Sequence, residues 1–271
     1  MGNGRFLAIG NDCRRDHRCI FATTTEPLHN VGMMIRAFLF AFLFLSSFCP
    51  PALSTTYFVA KLGGIIVAGA DSCSTLTIDH SKRVRGPDVC KFYRCTNHAY
   101  FVMAATPLQD VATGINFARI AASACSDGGS MSEIADRLSE RMTEAAKELY
   151  EKTMEPAQVS AAIFGADANG AFLLSRAVRI DGKGIYSDPV DDCMVGCEAK
   201  YTMGGYHGIM ERILAEDKEF WDKHKLVGGV KYLLTEEITA NKENEVAFPI
   251  SVLQMDASGE RWIERGVCQP M

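Results

Sequence analysis

Thr55-Thr56-Tyr57-Phe58-Val59-Ala60-Lys61-Leu62-Gly63-Gly64-Ile65-Ile66-Val67-Ala68-Gly69-Ala70-Asp71-Ser72 is the stretch on which the fold turns. Two runs of β-branched, aromatic and small apolar residues flank a Gly-Gly pair, which predicts a tight hairpin between two strands.

Downstream, further strands are expected at 91–95 and 99–105. Residues 107–124 repeat apolar side chains near a 3.6 period, and Pro107 suits a first helical turn. The span 131–152 carries a stronger helical signal. Ser130-x-x-Glu133 is a capping-box pattern, and Ile134, Leu138, Met142, Ala145 and Leu149 form one face. Strands follow at 159–165 and 171–180, helices at 206–215 and 230–240, and closing strands at 249–256 and 261–265. Strands, two helices, strands, two helices, strands predicts an α+β protein of stacked sheets between helix layers.

The chain has 271 residues, 48% hydrophobic and 23% charged, with a formal net charge of −5. Those proportions exclude a disordered tail, a collagen-like fibre and a polytopic membrane protein. A mildly acidic chain also lacks the basic stripe of a nucleic-acid binder.

The totals hide two unlike parts. Residues 1–32 show no helical or strand period. Met33-Met34-Ile35-Arg36 then leads into an apolar run from Ala37 to Phe48, closed by Cys49-Pro50-Pro51-Ala52-Leu53-Ser54. One basic residue, a short greasy segment, prolines and an Ala-x-Ser spacing form a secretory signal pattern. The run is shorter than the roughly 20 apolar residues of a membrane span. A core helix would want a polar side, and Phe48 is too bulky to precede a lipidated Cys49. Translation starting at Met33 or Met34 would give a leader of ordinary length. The expected domains are therefore a 1–54 leader, with a signal peptide at about 33–54, and a single domain over 55–271. Five of the 28 basic and three of the 33 acidic residues precede Thr55, so the domain carries a net charge of −7 and seven of the ten cysteines.

Within the domain, no HExxH, GxSxG, Walker A or GxGxxG pattern sits where its chemistry would need it. Cys90/Cys95 and Cys193/Cys197 lack zinc-knuckle spacing, so neither a metal nor a cofactor is expected. In an exported protein one of these pairs would instead form a disulfide, and an odd count leaves at least one thiol free. Cleavage after Ser54 would expose Thr55 as a new N-terminus. A threonine there has a hydroxyl nucleophile and a free α-amine, and the amine titrates near 7.7–8.0, so it can serve as the base.

At these residues the sequence resembles proteasome β-subunits. Thr55 through Asp71-Ser72 is similar to the opening of that family's mature chain, at the same spacing from nucleophile to aspartate. Cys90-Lys91-Phe92 resembles the strand bearing the catalytic lysine, and Tyr100-Phe101-Val102-Met103-Ala104-Ala105 resembles the strand leading to the oxyanion hole. The resemblance implies the four-layer αββα sandwich of N-terminal nucleophile hydrolases. It implies Thr55 as nucleophile, Asp71 paired with Lys91, Lys91 tuning the hydroxyl and amine, and the Ala105 N–H holding the oxyanion. The function implied is threonine-type hydrolysis of peptide or related amide bonds, without metal or organic cofactor, by a homo-oligomer. The alternative is a non-catalytic scaffold or binding subunit on the same fold.

The sequence also departs from the family. Ser54 stands where a self-cleaving precursor has Gly, a role that signal peptidase would make unnecessary. Cys73 replaces an arginine, and about four extra residues before Lys91 leave Lys82 as a rival for its role. Ala105 replaces a glycine, its methyl expected to narrow the site, and Gly205 replaces a serine that supports the amine. A second aspartate has only Glu243 and Glu245 as loose equivalents. The expected location is periplasmic or secreted; the alternative is cytoplasmic, with the leader as a propeptide.

Overall fold

A computed structural model describes residues 55–79, 82–188, 192–194, 196–241 and 246–268. The expected leader and signal peptide, and Glu243 and Glu245, lie outside the described residues.

The Gly63-Gly64 hairpin forms as the sequence dictates: β1 (Thr56–Leu62) pairs antiparallel with β2 (Ile65–Ala70), in register from Leu62↔Ile65 to Tyr57↔Ala70. On one side β1 pairs with β11 (Ala199–Gly205). On the other β2 pairs with β12 (Ser251–Asp256), which carries β13 (Gly259–Glu264) at its edge. A second five-stranded antiparallel sheet runs β10-β9-β8-β6-β5. Its strands are β5 (Phe92–Thr96), β6 (Ala99–Thr106), β8 (Ala157–Asp167), β9 (Gly170–Asp181) and β10 (Gly184–Ser187). The sequence pattern did not anticipate the small third sheet, built from β3 (Thr75–Asp79), β4 (Lys82–Arg85) and β7 (Gln109–Asp110). Its strands are too short to show a period.

Four helices occur among the described residues: α1 (Phe117–Ser126), α2 (Met131–Thr153), α3 (Gly208–Glu216) and α4 (Phe220–Ala240). The helix expected from Pro107 begins only at Phe117. Asp110 interrupts it by accepting the Thr113 N–H (2.7 Å) in a turn completed by Gly114 at φ +77°, and Asn116 then caps α1 through the Arg119 N–H. In α2 the capping box is present: Ser130 Oγ accepts the Glu133 N–H, and the Glu133 carboxylate accepts the Ser130 N–H. Helix α4 starts ten residues before the expected 230, with a kink at Lys225 (φ 59°).

Alternating β6 residues feed two apolar clusters. Phe101 and Met103 pack with Phe117, Ile134, Leu138 and Met142 of α1 and α2, while Tyr100 and Val102 pack with Tyr57, Val59 and Ile66 of the first hairpin. On β1 the other parity, Phe58 and Ala60, joins Val230, Leu233 and Leu234 of α4. Fully burying each such side chain contributes roughly 1.5–3 kcal/mol. Helix α4 comes so close to β2 that a Cβ on Gly69 would lie 2.3 Å from Leu234 Cδ1. The architecture is thus mixed α+β with several antiparallel sheets.

Among the described residues three disulfides form, Cys90–Cys268, Cys95–Cys125 and Cys193–Cys197, and Cys73 is free and buried. Of the two pairs considered from spacing, Cys193/Cys197 bonds within itself, whereas Cys90 and Cys95 each find a distant partner. Cys90, two residues before β5, meets the C-terminal segment, and Cys95 within β5 meets α1, so sequence proximity does not decide the pairing.

Candidate active site

Thr55 immediately precedes β1, and its fate follows from the hairpin. The Gly63-Gly64 turn sets Tyr57 opposite Ala70, so one residue further along each strand Thr56 meets Asp71, whose N–H donates to the Thr56 carbonyl (3.1 Å). The Asp71 carboxylate turns back over the same strand end. It accepts the backbone N–H groups of Thr56 (3.0 Å), Cys73 (3.1 Å) and Ala247 (3.4 Å). Thr55 is 0% exposed, and Asp71 and Lys91 are each 1% exposed.

Lys91, just before β5, reaches across from the other five-stranded sheet. Its Nζ donates to Thr55 Oγ1 at 2.9 Å. Lys82, the rival, opens β4 in the small sheet, in register with Asp79. The lysine that meets Thr55 is Lys91.

Burial pushes the Asp71 carboxyl up to about 6, against the opposing pull of the Lys91 charge and the three backbone donors. Burial pulls the Lys91 ammonium below the usual lysine range, and the Asp71 charge opposes that. The two are coupled through space, and no hydrogen bond joins them among the described contacts. The lysine donates to the threonine hydroxyl, while Asp71 holds the backbone frame and supplies a countercharge.

Ala105 is buried in β6, three residues past Val102, where pairing with β5 ends at Phe92. Its methyl belongs to the cluster packed against α1 and α2, which also holds Leu108 and has Tyr93 against it, because β6 parity sends it to the opposite face from Ala104.

Gly205 lies against the same strand end. It ends β11 opposite Thr56, with φ +76°, and a Cβ built there would lie 1.5 Å from the Thr55 carbonyl oxygen. A serine cannot occupy this position with the backbone as it stands; the glycine is a requirement for the close approach of two chains. Next to it, the Tyr206 N–H donates to the Thr55 carbonyl (3.1 Å), and Thr56 Oγ1 donates to the Tyr206 carbonyl (2.5 Å). Sequence reasoning passed over Tyr206 and Thr56. The sequence pattern predicts no strand over 199–205, where β11 forms, and its one signal there is the Gly204-Gly205 pair.

The chain matches no family model and no curated protein.

A cavity of about 290 Å³ opens beside the segments that bring in Asp71 and Lys91, lined in part by Ser74, Leu76, Val89, Tyr93 and Leu108. Among the described residues no group of three or more His, Cys, Asp or Glu side chains is placed to hold a metal ion, and no helix is long and apolar enough to cross a membrane. What the arrangement offers chemically is a hydroxyl held by a buried cation, with a buried carboxylate behind it.

Proposed function

We propose that this protein is a threonine-type N-terminal nucleophile hydrolase, similar to proteasome β-subunits, acting on peptide or related amide bonds. The observation that carries the reading is the 2.9 Å contact of Lys91 Nζ with Thr55 Oγ1, both side chains buried. The three apolar clusters support reading the fold as a four-layer αββα sandwich: helices, sheet, sheet, helices.

In the 271-residue chain the Thr55 nitrogen is an amide to Ser54 and has no basic lone pair. Cleavage of that bond frees an α-amine on the same residue as the hydroxyl. The amine takes the Oγ1 proton as Oγ1 attacks the substrate carbonyl carbon, and the Lys91 cation favours the developing alkoxide. The tetrahedral oxyanion accepts the Ala105 N–H. Collapse breaks the C–N bond, and the leaving amine takes the proton back from the ammonium. Water then hydrolyses the ester at Thr55 by the same proton route. Asp71 keeps Lys91 charged throughout.

The apolar cavity near Leu76 and Leu108 favours a substrate with an apolar side chain. Three disulfides fit an exported protein in an oxidising compartment. Self-association into a homo-oligomer belongs to the same proposal, by resemblance. Intact mass and N-terminal sequencing test the reading first, with a mature chain starting at Thr55 expected. A fluorescent peptidyl vinyl sulfone, which traps a nucleophilic hydroxyl, should label that protein, and Thr55→Ala should abolish labelling with the fold intact. A mature chain that keeps Ser54 would refute catalysis and leave the non-catalytic alternative.

A further inference from the structure

The peptide group between Gly205 and Tyr206 is hydrogen-bonded at both ends. Its N–H donates to the Thr55 carbonyl at 3.1 Å, and its carbonyl oxygen lies 2.6 Å from His207 Nδ1. A carbonyl can only accept, so His207 Nδ1 carries a proton and donates. The other ring nitrogen, Nε2, stands 3.3 Å from Glu211 Oε1, one helical turn further on. Glycine leaves this peptide free to rotate, because no Cβ restricts Gly205 at φ +76°. Rotation would swing the Tyr206 N–H away from Thr55.

We infer that His207 is a positioning residue for the nucleophile. Its ring locks the Gly205–Tyr206 peptide, which holds the Thr55 carbonyl and with it the placing of Thr55 Oγ1 against Lys91. The inference rests on the hydrolase reading of Thr55.

A second observation supports it. His207 occupies the N-cap of α3 but makes no capping bond, where Ser, Thr, Asp or Asn would be the usual choice. The cap is supplied from α4 instead: Glu237 Oε2 accepts the Ile209 (2.8 Å) and Met210 (2.9 Å) N–H groups. Relieved of capping, the histidine turns back toward the strand end. Gly205 itself can carry no supporting side chain, so the support comes from its neighbour.

The test compares the wild type with His207→Ala, His207→Asn and His207→Gln, using vinyl sulfone labelling at Thr55 and hydrogen exchange of the Tyr206 amide. His207→Ala should slow labelling by about 10- to 100-fold, the scale of a misplacement of about 1 Å, and speed Tyr206 exchange. The Asn amide nitrogen stands where Nδ1 stood, so His207→Asn should restore most of both. The Gln nitrogen matches Nε2, so His207→Gln should stay slow. Wild-type labelling in His207→Ala, unchanged Tyr206 protection, or rescue by Gln in preference to Asn would overturn the inference alone. If His207→Ala does not fold, the Asn and Gln variants decide. A wild type without any Thr55 adduct would overturn the hydrolase reading and this inference with it.

Discussion

Gly205→Ala is the sharpest perturbation of the site. The added Cβ would sit 1.5 Å from the Thr55 carbonyl oxygen and 2.5 Å from its carbonyl carbon. Ordinary contact between such atoms is about 3.3 Å, so one backbone must retreat by more than 1 Å. At φ +76° alanine costs roughly 1–2 kcal/mol over glycine, and losing the Tyr206 N–H···Thr55 bond in a buried setting costs about 1–3 kcal/mol. Together these put the destabilisation on the order of 2–5 kcal/mol, seen as a fall in Tm of about 5–15 °C for a domain of this size. A retreat of that size also takes Thr55 out of line with Lys91 Nζ, and a shift of about 1 Å is worth on the order of 100-fold in rate. Thermal denaturation and the vinyl sulfone labelling rate, measured on protein beginning at Thr55, read the two effects separately. Gly64→Ala is the control, because nothing lies within 4 Å of a Cβ there, and its effect should stay within about 0.5 kcal/mol. A Gly205→Ala protein with wild-type Tm and wild-type labelling would refute the close approach of β11 to the nucleophile.

Two further outcomes follow from the buried pair and its anchor. Because Asp71 titrates at about 6 when folded against 3.8 unfolded, its contribution to stability is fully present below 3.8 and lost as pH rises to 6, by roughly 3 kcal/mol. The stability of the wild type relative to Asp71→Asn, measured by urea denaturation, should therefore fall by that amount as pH rises across the window, while wild-type labelling falls as pH drops through 6. A gap that is constant with pH would contradict a buried, strained carboxyl. The Cys90–Cys268 disulfide fixes the residue beside Lys91 across a separation of 178 positions. Replacing both cysteines by serine should cost about 2–4 kcal/mol and slow labelling of the folded protein; unchanged labelling would show that Lys91 holds its place without the bridge.

The sequence by itself determined what a hairpin and a helix settle locally. A two-residue turn at Gly63-Gly64 fixes the register, and register alone brings residue 56 opposite residue 71. The meeting of the Thr55 end with Asp71 was thus legible from spacing. The capping box and apolar face of α2 were legible for the same reason: both ends of each interaction lie within a few residues. The small β3–β4–β7 sheet, the late start of α1 and the partners of Cys90 and Cys95 were not, because no local period or spacing encodes them. The resemblance favoured Lys91 but left Lys82 as a rival, since the outcome depends on which strand a second sheet delivers to the hydroxyl. Only tertiary packing decided that Lys91 arrives there. Packing also decided that Gly205 must lack a side chain, because two backbone segments far apart in the sequence approach each other at the nucleophile.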